Sequence, residues 1–242
     1  MPPALSNLTA IVTGAGSGLG AAVAQALAAA GARCVLAGRR RAPLQALAAQ
    51  LESAVGRALA VAADVTDEGQ VAALVAAAVA EFGGVDIVVN NAGLLKQASV
   101  TATSLALWDE ILNVNLRGAF LVCRAAWPHL CRSRGQIVNL SSMAAVQGFP
   151  DEAAYCASKA GLNGLTLALA AEGKPHGIRV LAVCPAATDT PLWESQAPAV
   201  VRDRMMKPEP IGELVSTLLA APRSLDFDPV MIRNFADPWT AA

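Results

Sequence analysis

A phenol and an ammonium stand four residues apart in Tyr155-Cys156-Ala157-Ser158-Lys159, within a stretch of helical periodicity. One turn of helix separates them, so both side chains project from one face, where a positive charge favours phenolate. Tyrosine so placed is a usable acid or base. It is also the chain's only tyrosine, so no neighbouring phenol could replace it. A second pattern lies near the amino end, in Thr13-Gly14-Ala15-Gly16-Ser17-Gly18-Leu19-Gly20. Glycines let a backbone approach a pyrophosphate, and the free N–H groups at a helix amino terminus hold its oxygens. As Gly16-x-Gly18-x-x-Ala21 the run meets the general dinucleotide pattern; from Thr13 to Gly20 it reads Thr-Gly-x-x-x-Gly-x-Gly, a different frame. A phosphate cradle together with a proton-transferring phenol points to redox chemistry.

Such groups need elements that hold them, and the chain alternates strand-like and helix-like runs from end to end. The strand-like runs are Ala10 to Val12, Arg33 to Ala37, Leu59 to Ala62, Ile87 to Val89, Gln136 to Leu140, Arg179 to Val183 and Val230 to Ile232. Between them lie apolar-periodic stretches at Leu19 to Ala30, Pro43 to Val55, Glu68 to Phe82, Leu105 to Leu130, Ala153 to Glu172 and Ile211 to Ala220, long enough for crossover helices. Continuously apolar strands belong in a parallel sheet covered on both faces. The reading is therefore an α/β fold with a doubly wound, parallel, seven-stranded sheet. Residues 1–242 form one domain, since no composition shift or linker divides them. Thr188 to Pro210, rich in proline and charge, is expected to be a mobile flap over the site.

Composition narrows the partners. Hydrophobic residues make up 55% of the chain, yet the longest apolar run, Val71 to Ala80, is half of the roughly 20 residues that a spanning helix needs. A net charge of −1 leaves no electrostatic footprint for nucleic acid or an anionic membrane. Neither partner is expected. Met1 to Asn7 lacks the basic start of an export signal, so cytoplasmic residence is the expectation. The five cysteines, at 34, 123, 131, 156 and 184, form no Cys-x-x-Cys pair and read as reduced structural thiols. His129 and His176 are too isolated to build a metal site, and none is expected.

Seven ordered segments are similar to those of the short-chain dehydrogenase/reductase family: Thr13 to Gly20, Asp64-Val65, Asn90-Asn91-Ala92-Gly93, Asn113-Val114-Asn115, Ser141-Ser142, Tyr155 to Lys159, and Pro185 followed by Thr190-Pro191-Leu192. The resemblance implies a single Rossmann-type domain with strand order 3-2-1-4-5-6-7 and a nicotinamide cofactor across the carboxyl ends of the strands. It implies that Ser142, Tyr155 and Lys159 form a catalytic triad with Asn115 as fourth member. In that scheme Ser142 bonds the substrate oxygen, Asn115 holds a water that relays protons, and Lys159 also bonds the nicotinamide ribose. Lowering a tyrosine from its ordinary pKa by about 3 units takes roughly 4 kcal/mol of phenolate stabilisation, from Lys159 and the positive ring of the oxidised cofactor. The cofactor contacts expected on the same basis are Gly14, Ser17, Gly18, Leu19, Gly20, Asp64, Val65, Asn91, Ala92, Gly93, Tyr155, Lys159, Pro185, Thr188 and Thr190. Asp64 has an alternative reading as a helix N-cap, and Asn90 and Asn91 as strand-end caps. Homodimers or homotetramers are implied as well, with Trp108, Leu112, Phe120, Leu162, Leu165 and Leu169 offering apolar surface; these residues read equally as intramolecular core.

Cofactor choice rests on the end of the second strand. An acid there would bond an adenosine 2′-hydroxyl, whereas this chain runs Cys34-Val35-Leu36-Ala37-Gly38-Arg39-Arg40. Two guanidinium groups suit a 2′-phosphate, so NADP(H) is expected to be preferred, with NAD(H) possible. Ser17 stands where many NADP(H)-using relatives carry a basic residue. Two departures bear on substrate: Pro185-Ala186 replaces the usual Pro-Gly, and Pro229 to Ala242 lacks the usual Gly-Gly. The expected substrate lining is Leu94, Leu95, Ala144, Gln147, Phe149, Ala187 and Trp193, apolar enough for a neutral, fairly hydrophobic ketone or secondary alcohol. The reading is a carbonyl reductase or alcohol dehydrogenase with Tyr155 as general acid/base; its alternative is a catalytically silent dinucleotide-sensing protein that keeps the fold.

Overall fold

The computed structural model describes residues 4–54, 57–194 and 202–235. Seven strands form one sheet: β1 Thr9–Thr13, β2 Arg33–Gly38, β3 Ala58–Ala62, β4 Ile87–Asn90, β5 Gln136–Leu140, β6 Arg179–Pro185 and β7 Val230–Ile232. All are parallel, in the order β3-β2-β1-β4-β5-β6-β7. That is the order implied by the resemblance. The sheet reverses direction of winding between β1 and β4, which opens a crevice at the carboxyl ends of these two strands.

Helices pack on both faces: α1 Gly18–Ala29, α2 Arg41–Ala54, α3 Glu68–Phe82, α4 Leu105–Leu112, α5 Gly118–Ser133, α6 Ala153–Gly173 and α7 Pro208–Ala220. Alternation along the strands decides which face each residue serves. Ala10 and Val12 of β1, Cys34 and Leu36 of β2, and Leu181 and Val183 of β6 join one core with Val23 and Leu27 of α1 and Val215 of α7. Ile11, Val35 and Val180 join the other, with Leu74 of α3, Val122 of α5 and Leu169 of α6. Every residue of β1, β4, β5 and β6 is buried, as a sheet covered on both sides requires.

Local signals set the element ends. Asp67 caps α3 by accepting from the Gln70 N–H, and Gly83 closes that helix in the left-handed region at φ 86°. The run from Leu105 to Leu130, expected as one helix, is continuous but carries a π-helical turn at Asn113–Arg117 between α4 and α5. Helices α1 and α7 pack in close contact because Gly212 has no side chain; a Cβ there would stand 2.6 Å from the Ala22 carbonyl oxygen. Of the six residues offered for self-association, Leu162 and Leu169 are core, Trp108, Leu112 and Leu165 are half-buried, and Phe120 is exposed. No helix among the described residues is long and apolar enough to cross a membrane.

Candidate active site

The crevice holds a cavity of about 710 Å³ at the carboxyl ends of the strands, within the size of small-molecule sites. One end is the turn after β1. Gly14 and Gly18 adopt left-handed φ values of 65° and 53°, and both line the cavity with Gly16, Ser17 and Leu19. Ser17 is the N-cap of α1, yet its hydroxyl makes no cap bond, so the first N–H groups of α1 are open to a ligand. Gly20 points elsewhere. A Cβ on it would fall 2.4 Å from both Asn91 Nδ2 and the Gly14 carbonyl, so this glycine permits packing of the turn.

Asn91 explains that crowding. Its amide donates to the carbonyls of Thr13 (3.0 Å) and Gly14 (3.2 Å), while the N–H groups of Asn91 and Ala92 donate to Thr13 Oγ1. The end of β4 thereby clamps the end of β1. A second chain of polar bonds crosses the sheet: Asn90 donates to Asn139 (2.8 Å), Asn139 to Thr166 on α6 (2.8 Å), and Thr166 to the Leu162 carbonyl. These contacts tie the phosphate-side turn to the helix that carries Tyr155.

At the other end, Tyr155 and Lys159 lie on α6 and Ser142 just beyond β5, and all three line the cavity. Lys159 Nζ is 5.7 Å from the centre of the Tyr155 ring and donates to the Leu140 carbonyl at 2.8 Å. The Ser142 hydroxyl accepts from the Ala144 N–H and lies beside the phenol. Burial dominates the electrostatics here. It pushes the Tyr155 phenol up to about 12, the Ser142 hydrogen bond pulling the other way and the charge of Glu152 adding to the rise. Burial likewise lowers the Lys159 ammonium to about 8. The sequence predicts a phenol acidified by its helical neighbour; within the protein alone, desolvation outweighs that help because both groups sit in the dry interior.

Asn115 sits one layer behind, buried in the π-helical turn. Its amide donates to the Leu94 carbonyl and to Ser158 Oγ, each at 3.0 Å, and its oxygen accepts from the Leu94 N–H. Both amide hydrogens are therefore spent on positioning the loop after β4 and the helix of Tyr155. Asp64 and Val65 also stand outside the cavity lining. Asp64 accepts from the N–H and hydroxyl of Thr66, Asp67 takes the N-cap role, and Val65 is core, with Gly118 leaving room for it. Ala92, Gly93, Pro185, Thr188 and Thr190 line the cavity, as do Arg39 and Arg40, exposed at its rim just past β2.

Of the described residues between 188 and 210, Thr188, Thr190, Pro191, Leu192, Trp193 and Met205 line this cavity. Thr188 bridges to Met206, and Asp189 pairs with Arg202 (2.7 Å) and Lys207 (2.9 Å), which holds Asp189 well below the usual carboxylate range through the hydrogen bonds of Lys207 and Arg202. Residues 195–201 of the expected flap, and Trp239 near the carboxyl end, lie outside the described residues. Of the expected substrate lining, Leu94, Gln147, Phe149, Ala187 and Trp193 face the cavity, as does Ala186. Leu95 and Ala144 are buried behind Tyr155 instead. Sequence reasoning missed Met143, Met205 and Glu152, which also line it. Met205 arrives only through the Thr188–Met206 bridge; Glu152 was legible as an acid three residues before Tyr155. Among the described residues no three His, Cys, Asp or Glu gather into a metal site.

Residues 8–200 match the model of the short chain dehydrogenase family. The chain belongs to the short-chain dehydrogenase/reductase family. It is 38% identical over 236 residues to the D-threitol dehydrogenase of Mycolicibacterium smegmatis, covering 96% of this chain and 91% of that one. A 3beta-hydroxysteroid dehydrogenase of Mediterraneibacter gnavus is 41% identical over 197 residues, 81% of this chain and 71% of its own length. Among solved structures, a short-chain type dehydrogenase/reductase from Mycobacterium marinum superposes with a TM-score of 0.91 at 32% identity, covering 98% of this chain and 97% of that one. The 3-ketoacyl-(acyl-carrier-protein) reductase of Brucella melitensis, solved with NADH, gives 0.87 at 35% identity, covering 95% and 98%. This oxidoreductase family uses NAD(P)(H). The residues present fit such a group: a glycine turn in left-handed conformation, an open helix amino terminus, and a cavity that runs from there to Tyr155.

Proposed function

We propose that this protein is an NADP(H)-preferring oxidoreductase that interconverts a ketone and a secondary alcohol, with Tyr155 as general acid and base. The observation that carries the reading is the placement of Ser142, Tyr155 and Lys159 on one wall of a cavity whose other end is the glycine turn. In the reducing direction Tyr155 gives its phenolic proton to the carbonyl oxygen, and Ser142 donates a hydrogen bond to the same oxygen. A phenol held protonated by burial is the acid this step requires. In oxidation Tyr155 must accept the proton, and from a pKa of about 12 neutral operation takes roughly 7 kcal/mol of phenolate stabilisation at 1.36 kcal/mol per unit. Lys159 supplies part of this as an ammonium on the same helix face. When bound, the nicotinamide supplies or accepts the hydride and, oxidised, adds positive charge that favours phenolate. Asn115 fixes the positions of the Leu94 loop and of Ser158 on α6, and so holds both walls of the cavity.

Arg39 and Arg40 support NADP(H) over NAD(H), since neither is in an ion pair among the described residues and no acid ends β2. A flap role for Thr188 to Pro210, cytoplasmic residence and self-association through α4 and α5, where Phe120 is exposed, belong to the same proposal. Two experiments test it. Tyr155→Phe is expected to lower kcat by about 10²–10⁴-fold with cofactor affinity retained, measured by cofactor absorbance and by fluorescence titration; undiminished turnover overturns the assignment. Arg39→Ala is expected to cut the NADPH-to-NADH ratio of kcat/KM by about 10–100-fold, the worth of a charge-assisted hydrogen bond. An unchanged ratio removes the cofactor preference.

A further inference from the structure

Glu152 is an acid in an apolar place. It is 7% exposed and lines the same cavity as Tyr155, three residues before it. Two ordinary reasons for a carboxylate there are missing. It stands at the N-cap of α6, where an acid commonly accepts from the first turn, yet its side chain makes no cap bond. No cation pairs with it among the described residues. Its one side-chain partner among the described residues is Gln97, whose amide donates to Oε1 at 2.9 Å. Burial raises its pKa against that hydrogen bond, and its charge opposes the phenolate of Tyr155. A carboxylate largely removed from solvent, with one protein donor among the described residues, that caps nothing and works against the chemistry next to it is costly to keep. Lining the cavity, the carboxylate is placed to accept from a donor on a ligand there.

We propose that Glu152 is a specificity-determining residue that accepts a hydrogen bond from a hydroxyl of the substrate near the reacting carbon, so that the preferred substrates are hydroxy ketones and polyols. The inference rests on the proposed ketone–alcohol reaction and names the substrate class of that site. Residues three apart at a helix end bring their Cβ atoms within about 5–6 Å. A hydroxyl one or two carbons from the carbonyl therefore reaches Glu152 while the carbonyl oxygen meets Tyr155 and Ser142. A site built to bond a hydroxyl discriminates strongly against analogues that lack it, because its buried acceptor is then left unpaired. The mostly apolar lining expected from the sequence, with Gln147 its one polar side chain, has no carboxylate.

The test is steady-state kinetics with matched pairs, 3-hydroxy-2-butanone against 2-butanone and 2,3-butanediol against 2-butanol, on wild type, Glu152→Gln and Glu152→Leu. Wild type is expected to favour the hydroxylated member by at least about 10-fold in kcat/KM. Glu152→Leu is expected to cut that preference by about 10–100-fold, mostly through KM, with Glu152→Gln between them because its amide oxygen still accepts. A thermal shift of wild type by 2,3-butanediol with cofactor present, lost in Glu152→Leu and kept in part by Glu152→Gln, reads binding without turnover. Circular dichroism establishes that both variants fold; should Glu152→Leu fail to fold, Glu152→Gln and the wild-type preference decide. Equal wild-type efficiency on both members, an unaltered preference in the variants, or stronger turnover of the matching amino ketone overturns the inference and leaves the proposed reaction standing. Absence of turnover with every carbonyl and alcohol overturns both.

Discussion

Among the described residues two cations are buried, at opposite ends of the same sheet, and they are treated differently. Arg179 opens β6 at the amino edge and is 6% exposed; Lys159 lies on α6 against the carboxyl end of β5 and is 5% exposed. The guanidinium of Arg179 donates to Gln136 Oε1 and to the carbonyls of Leu218, Leu219, Ala221, Pro222 and Leu225, with its carbon 5.3 Å from the centre of the Phe227 ring. It closes the carboxyl end of α7, whose last carbonyls have no partner within the helix. Lys159 spends one of three donors, on Leu140, and faces the cavity with the rest. A charge whose donors are all answered by the protein is architecture, whereas one left under-answered beside a cavity is set for a ligand.

The contrast can be broken from either end. Lys159→Met is expected to lower kcat/KM by about 10³-fold while leaving folding intact, checked by cofactor-coupled assay and denaturant titration. If it loses stability and keeps activity, the assignment of roles is reversed. Arg179→Met is expected to cost roughly 3–5 kcal/mol in denaturant unfolding, because several buried carbonyls lose their donors, with kcat per folded molecule altered less than about twofold. Arg179→Lys recovers only part of that loss, since an ammonium cannot reproduce the planar fork.

A third expectation sharpens the comparison through pH. Lys159 titrates near 8 in the folded protein and at its ordinary 10.5 when unfolded. Below pH 8 both states bind the proton and the full cost of burying the charge is present. Between 8 and 10.5 the unfolded chain binds more protons than the folded one, so stability rises with pH, and above 10.5 the cost is gone. Lys159→Met is thus expected to be more stable than wild type by up to roughly 3 kcal/mol at pH 7, an advantage that fades across that window. Tyr155 is common to both proteins and cancels in the difference. A difference that stays flat from pH 7 to 10.5 contradicts a strained buried ammonium.

Much of the architecture was legible before any coordinates. All seven strands fall on the expected runs because strands of a parallel sheet covered by helices carry short, largely apolar stretches, which stand out against the longer helical periodicity between them. The spacing of Tyr155 and Lys159 on one face of α6 was equally plain, since period and helix are local properties. The site was less legible wherever it depends on distant partners. Gly20 is needed for the packing of Asn91, and within the expected helix Asn113–Arg117 widens to a π-helical turn with the Asn115 amide bonded to Leu94 and Ser158. Glu152 reads as an ordinary acid at a helix start until burial and Gln97 are seen.

By itself the chain determined strand and helix order, the glycine turn, the one-turn spacing of Tyr155 and Lys159 and the arginines after β2, because each follows from short-range pattern and residue chemistry. Only the tertiary structure decided that the phenol is buried enough to rise to about 12 rather than fall, that Asp64 and Val65 stand behind the cavity, and that a carboxylate shares it. Proton affinity and access depend on what surrounds a group in space, and those surroundings are brought together from residues far apart in the sequence.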